Sequence, residues 1–350
     1  MSLFGNFFGK FSRDLGIDLG TVNTVIYTND KGIVINQPSI VALNNKTNQV
    51  ISVGKEALEM VGKTPPYITI VRPIIRGIIS DFEAAEKMIK YFIDRLHEGS
   101  FSIVPRPRIV IGVPIDVTEV ERKAVEDAAL SAGAREVFLV EQPMLGAIGA
   151  RMPIEEPIGN MIVNIGGGRT EIAVIALSGI VTWRSLAIAG EELNKNIIQF
   201  ARDEFNLLLG ERMAEHVKMS IGTAKELSGP IEIEMRGRDL ETGLPREVRV
   251  NDGHIRRAIQ KSIRTIVDNI KATIESTPPE LVADIYERGI VLIGGGSNIR
   301  GIDALISEYT DVPVRIADDP MTSIARGAGL LLDNQHLLMT VVLPSAEGTR

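Results

Sequence analysis

Two stretches of this chain share one pattern: LGIDLGTVNTVIY at 15–27 and IVNIGGGRTEIAVI at 162–175. Each reads as a β-branched strand, a glycine turn and a second strand. Each then runs on into alternating strands and helices, so the chain reads as an ancient duplication of one α/β unit. Its 350 residues, 44% hydrophobic and 24% charged, supply enough apolar material for two cores. A cleft between the two halves is the natural place for a ligand.

The pattern can be followed along the chain. From 15 to 43, short β-branched runs separated by Gly, Asn-Asp and Pro predict a meander of hairpins. Residues 81–98 place Ala85, Met88, Ile89, Phe92 and Leu96 on one helical face. IVIGVP at 109–114 is a buried-type strand, and the helix after it opens with Thr118 and Glu121 at capping-box spacing. VFLVEQP at 137–143 is the next strand, leading into a helix that begins at Pro143. The second half predicts a hairpin at 160–183, helices near 190–222, a strand-rich polar stretch at 230–250 and a long helix from about 253 to 276. It closes with PPELVADIYERG, the strand IVLIGGG and helices at 297–308 and 320–332.

A net charge of −7 argues against a generalised nucleic-acid footprint, which needs a basic surface to neutralise phosphates. No nucleic-acid partner is expected. The absence of cysteine excludes disulfides, thiolate metal sites and cysteine nucleophiles, and fits a reducing, cytoplasmic setting. No apolar run approaches the roughly 18–20 residues of a spanning helix, and MSLFGNFFGKFSRD lacks the parts of a signal peptide. Four of the ten phenylalanines nevertheless fall in the first eleven residues. Phe4, Phe7, Phe8 and Phe11 have the i, i+3, i+4, i+7 spacing of one helical face, with Leu3 adjoining and Lys10 elsewhere. An interfacial helix that forms on contact with lipid is expected, although Gly5 and Gly9 each lower helicity by about 1 kcal/mol relative to alanine.

The glycine turns suit phosphate. Asp18-Leu19-Gly20-Thr21 puts a carboxylate at a strand end, before a turn whose glycine lets backbone N–H groups approach an anion. Gly166-Gly167-Gly168 repeats the arrangement. A third cluster, VLIGGGSNIRG at 291–301, ends a strand and starts a helix, so its amides and helix N-terminus could meet another part of the same ligand.

These residues resemble the actin, Hsp70 and sugar-kinase superfamily, and the MreB family of bacterial actins in particular. IDLGT (17–21) resembles the first phosphate motif, VFLVEQPMLGAIGA (137–150) the connecting segment, NIGGGRTE (164–171) the second phosphate motif and IGGGSNIRGID (293–303) the adenosine motif. GKTPPYITIVRPIIRGIISDF, ERGI and TPPELV match as well, so the likeness spans about residues 14–335. It implies an actin-like α/β ATPase fold: domain I at 14–150 plus 317–339 with a small subdomain about 33–77, and domain II at 151–316 with one about 186–252. Residues 1–13 would be the amphipathic segment and 340–350 a tail.

The resemblance also implies ATP or ADP bound with Mg²⁺, and assembly into paired homopolymeric protofilaments at the inner face of the membrane. Other MreB-like or shape-determining membrane proteins are further expected partners. Asp18 would organise the water shell of Mg²⁺; Gly20, Thr21, Val22 and Asn23 would form the first phosphate loop, and Gly166, Gly167, Gly168 and Arg169 the γ-phosphate end. Glu215 and Lys218, with Glu192, would hold ribose and adenine, a pair whose spacing alone reads as a surface ion pair. Gly294, Gly295, Gly296 and Ser297 would pack against adenosine. Phe101 and Ile103, in GSFSIVPRP at 99–107, fall where the family has a hydrophobic membrane loop.

Three positions depart from the family pattern. Gln142 stands where Glu is usual, Asn164 where Asp is, and Arg169 where Thr is. Gln142 and Asn164, the residues expected beside the attacking water, are both uncharged, so slow hydrolysis is expected. Two roles are open to Arg169, clamping phosphate oxygens or facing solvent. An Hsp70-like chaperone would need a further substrate domain beyond residue 350, and a small-molecule kinase would need an extra carboxylate base in the connecting segment.

Overall fold

A computed structural model describes residues 13–98 and 106–344. The chain divides into two compact units: Met1–Glu156 with Leu177–Gly179 and Met321–Arg350, and Pro157–Ala176 with Ile180–Pro320.

The strands of the first unit are β1 (Leu15–Leu19), β2 (Asn23–Thr28), β3 (Gly32–Pro38), β4 (Val41–Asn44), β5 (Val50–Val53), β6 (Ile68–Val71), β7 (Ile74–Ile75), β8 (Ile78–Ile79), β9 (Arg108–Val113) and β10 (Glu136–Glu141). Its main sheet has the order β10-β9-β1-β2-β3, with β1, β2 and β3 an antiparallel meander and β1, β9 and β10 parallel. The meander is shorter than the sequence predicts. Pro38 has no N–H to extend the ladder, Ser39 turns the chain by donating to the Val22 carbonyl (2.8 Å), and β4 joins β5 and β6 in a separate sheet.

One face of the main sheet buries Leu15, Ile17, Leu19, Ile109, Ile111 and Val113 against Ala85, Met88, Ile89 and Phe92 of helix Phe82–His97. Asp81 caps that helix by accepting from the Ala84 N–H, and Thr118 and Glu121 form the expected capping box on helix Glu119–Ser131. The other face is built for close approach. A Cβ at Gly327, in helix Ser323–Asp333, would lie 1.9 Å from the Leu145 carbonyl oxygen of helix Gln142–Gly149, and one at Gly149 would lie 1.8 Å from that of Ser323. Glycine is the residue these contacts admit.

The second unit contains β11 (Asn160–Ile165), β12 (Thr170–Ala176), β13 (Gly179–Leu186), β14 (Leu207–Leu208), β15 (Glu232–Asp239), β16 (Pro245–Asn251), β17 (Ile290–Ile293) and β18 (Val314–Ile316). Its main sheet, β13-β12-β11-β17-β18, repeats the first sheet strand for strand when that is read from β3 to β10. The duplication legible in the two glycine hairpins is thus a duplication of topology. Helices Gly190–Phe205, Glu211–Ile221 and Asp252–Glu275 bury Leu193, Ile197, Val217, Ile259, Ile263 and Ile266 in its core. One predicted helix starts late. The glycine cluster makes a 3₁₀ turn over Gly295–Asn298, and the α-helix begins only at Ile302, after Ile299 in extended and Gly301 in left-handed backbone.

Candidate functional site

In the first unit, β1 ends at Leu19 and the turn to β2 carries Gly20, Thr21 and Val22, with Asn23 opening β2. Thr21 is buried and Val22 exposed. Two groups hold the turn. The Ser39 hydroxyl donates to the Gly20 carbonyl (2.6 Å) and shares a hydrogen bond with Thr24 Oγ1 (2.9 Å). The Gly77 N–H, from the tight turn between β7 and β8, donates to Thr21 Oγ1 (2.8 Å). Gly77 lies in the segment GKTPPYITIVRPIIRGIISDF, which resembles the family, but neither it nor Ser39 belongs to the phosphate motifs, and their sequence does not reveal the contact with the first turn.

Asp18 pairs in parallel register with Gly112 of β9. A Cβ at Gly112 would meet Gln142 Cγ at 3.3 Å, so the glycine leaves room beside the buried Gln142, the first residue of its helix. Burial pushes the pKa of the neighbouring Glu141 carboxyl up from its ordinary value. One carboxylate at a strand end suits Mg²⁺ held through water, because that ion keeps several waters and takes one or two carboxylates together with substrate phosphates. Among the described residues no group of three His, Asp or Glu could hold a metal directly.

In the second unit, the Gly166 N–H closes its turn onto the Arg169 carbonyl (3.0 Å), and the carbonyls of Gly166 and Gly167 accept from the Gly190 and Glu191 N–H groups at 3.1 and 2.8 Å. The third glycine cluster packs directly on the end of β11. A Cβ at Gly296 would lie 2.2 Å from Ile165 Cγ2, and one at Gly294 would lie 2.6 Å from Asn164 Oδ1. Gly294 also has a positive φ of 83°, and the buried Ser297 hydroxyl donates to its carbonyl at 2.6 Å. The cluster at Gly294 to Ser297 is therefore packed on Asn164 and Ile165, the two residues that lead into the turn at Gly166.

Lys218 and Glu215 lie in helix Glu211–Ile221 as an ion pair of 2.7 Å, and Lys218 Nζ also donates to the Gly190 carbonyl at 3.0 Å. Asn194 donates to the same Glu215 carboxylate, a contact that sequence spacing did not reveal. The pair is thereby tied to the glycine turn through Gly190. Glu192, in helix Gly190–Phe205, pairs with Lys195 at 3.5 Å. Arg169 is half-buried and donates to Ser185 Oγ of β13 at 3.0 Å. Asn164 donates through Nδ2 to Glu171 (3.2 Å), a fully buried carboxyl that the motif reading passed over.

Leu3, Phe4, Phe7, Phe8 and Phe11, and Phe101 with Ile103, lie outside the described residues. The residues that flank both segments meet. The Arg13 N–H donates to His97 Nε2 (3.3 Å), and its guanidinium pairs with Asp30 at 3.0 Å. His97 is the last residue of the helix that leads into segment 99–105. Among the described residues no helix is long and apolar enough to cross a membrane.

The model of the MreB/Mbl protein family matches residues 12–340. The cell shape-determining protein Mbl of Bacillus subtilis is 45% identical over 329 residues, which cover 94% of this chain and 98% of that protein. Cell shape-determining protein MreB of Escherichia coli is 46% identical over 331 residues, covering 93% and 95%. Among solved structures, MreB5 of Spiroplasma citri bound to ADP superposes with a TM-score of 0.87 at 35% identity, covering 93% of this chain and 97% of that one; its AMPPNP-bound structure gives the same values.

Proposed function

Since the chain belongs to the MreB/Mbl family, we propose that it binds ATP, polymerises into paired protofilaments at the inner face of the cell membrane and organises cell shape, hydrolysing ATP slowly. Its architecture is the actin-like fold. The observation that carries the nucleotide reading is the packing of the third glycine cluster on the end of β11, where the second glycine turn begins, with the Lys218–Glu215 pair joined to that turn through Gly190. ADP and AMPPNP in the MreB5 structures support the same reading.

In this proposal Gly166 to Arg169 take the γ-phosphate, Gly294 to Ser297 face adenosine, and Glu215 and Lys218 take ribose and adenine. Gly20 to Asn23 of the first unit take the remaining phosphate oxygens, and Asp18 orders the water shell of Mg²⁺. Bound there, Mg²⁺ supplies neutralisation of phosphate charge. Gln142 and Asn164 orient water but cannot usefully accept its proton. Electron microscopy after addition of ATP tests the assembly: ordered paired filaments are expected, and a protein that stays dispersed with both ATP and AMPPNP overturns the filament reading.

The membrane part of the proposal rests on the apolar sequence of 1–12 and 99–105 and on the hydrogen bond between Arg13 and His97, which stand next to those segments along the chain. Two weak apolar elements in one chain bind lipid better than either alone, because the second inserts at high effective concentration. Deleting residues 2–12 together with Phe101→Ser is expected to release the protein from liposomes in a pelleting assay. Full pelleting of that variant would show that neither segment is the anchor. Other MreB-like or shape-determining membrane proteins are the proposed further partners.

A further inference from the structure

We propose that Asn194 is a positioning residue for the sugar end of the nucleotide: with Lys218 it pins one oxygen of Glu215, so that the other is offered to a ribose hydroxyl. The inference rests on the nucleotide reading above. Helix Gly190–Phe205 carries Gly190 and Asn194 on one face, a single turn apart, and both meet helix Glu211–Ile221. Lys218 Nζ donates to the Gly190 carbonyl at 3.0 Å, and Asn194 Nδ2 donates to Glu215 Oε2 at 2.5 Å. Lys218 donates to that same oxygen at 2.7 Å. Oε1 accepts from none of the described residues, and the Glu215 side chain stays 39% exposed.

An ion pair between residues one turn apart on a single helix leaves both long side chains free to change rotamer. A donor from a second helix removes that freedom, and an amide does so without adding charge. The carboxylate selects the nitrogen end of Asn194, which fixes the orientation of the amide. Its Oδ1 is buried and has no hydrogen-bond partner. An acceptor left without a donor costs stability, so the amide weakens the packing around it while it orders Glu215. A fixed carboxylate oxygen reads a hydroxyl by accepting its proton, and a sugar that lacks the hydroxyl leaves that acceptor unpaired.

The test is calorimetric titration of the full chain with Mg²⁺ and ADP, 2′-deoxy-ADP or 3′-deoxy-ADP, on the native sequence, Asn194→Leu, Glu215→Ala and the two together. The native protein is expected to bind at least one deoxy form about tenfold more weakly than ADP, the size of a lost hydrogen bond to a charged group. Asn194→Leu is expected to cut that ratio to about threefold by weakening ADP, with the weaker deoxy form held within about twofold of native. Its melting temperature without nucleotide is expected to equal or exceed the native value, because the unpartnered oxygen is gone. Asn194→Ala, which cannot crowd the site, is expected to give the same ratio. In the Glu215→Ala background, Asn194→Leu is expected to leave ADP affinity within about twofold, since it acts through the carboxylate. Equal weakening of ADP and both deoxy forms, or the same loss of ADP affinity in both backgrounds, overturns the positioning role. Equal affinity of the native protein for all three nucleotides removes the sugar contact and leaves the nucleotide reading standing, whereas no binding of ADP overturns both.

Discussion

Replacing Asp18 with alanine is expected to weaken binding of Mg²⁺ with nucleotide by roughly 10–100-fold, the range found when a carboxylate that acts through a metal's outer shell is lost. Asp18 sits at the end of β1, beside Gly112 and short of the Gly20 turn, and lies outside the apolar face that packs the first core. The sheet is therefore expected to survive the change. The proposed role is also a matter of charge: the triphosphate and its ion need a fixed anionic group to hold the coordinated waters, and alanine offers neither charge nor acceptor. Titration of a fluorescent ATP analogue, with and without Mg²⁺, reads the effect. The loss should appear only with the ion present; equal affinity of native and variant protein in Mg²⁺ would remove Asp18 from the site.

The double change Gln142→Glu with Asn164→Asp is expected to raise phosphate release at least several-fold with little effect on nucleotide affinity. A positioned acid–base group is worth about 10²–10⁴-fold in rate, or roughly 3–5 kcal/mol of barrier. The expectation lies at the low end because phosphoryl transfer passes through a loose transition state that depends more on positioning and charge neutralisation than on proton abstraction. Gln142 is buried at the head of its helix beside Gly112, so a glutamate there replaces an isosteric amide. A reverted protein no faster than the native sequence would mean that the two amides do not limit hydrolysis.

The proposed slow hydrolysis has a consequence for assembly. If filaments form on ATP and disassemble after phosphate leaves, a slow release step keeps subunits in the polymer, so sedimentable protein should persist long after mixing. Phosphate release recorded alongside sedimentation reads both processes in one sample.

Much of this protein is legible along the chain because its signals are local. Glycine at 20, 166–168 and 294–296 permits turns that other residues cannot make, Thr118 and Glu121 cap a helix from adjacent positions, and the 3.6-residue period of 82–97 marks its buried face. The repeated hairpin was enough to predict a duplicated α/β fold, since two copies of one pattern in a chain build two copies of one sheet order. The motifs likewise named most of the residues that the structure gathers at the end of β11. Tertiary structure decided what depends on residues far apart in sequence or on register. Pairing of β11 with β12 put Glu171 on Asn164, seven positions away, and pairing with β17 brought Gly294 onto the same side chain from 130 positions away. Ser39 and Gly77 reach the first turn only because the meander and the β7–β8 turn fold over it. In the helix that follows the second glycine turn, Glu192 pairs with Lys195, while Asn194 two residues on reaches Glu215. A helix turns about 100° per residue, so which of its side chains meets a neighbour is set by how the helix is docked, and docking is a property of the packed core.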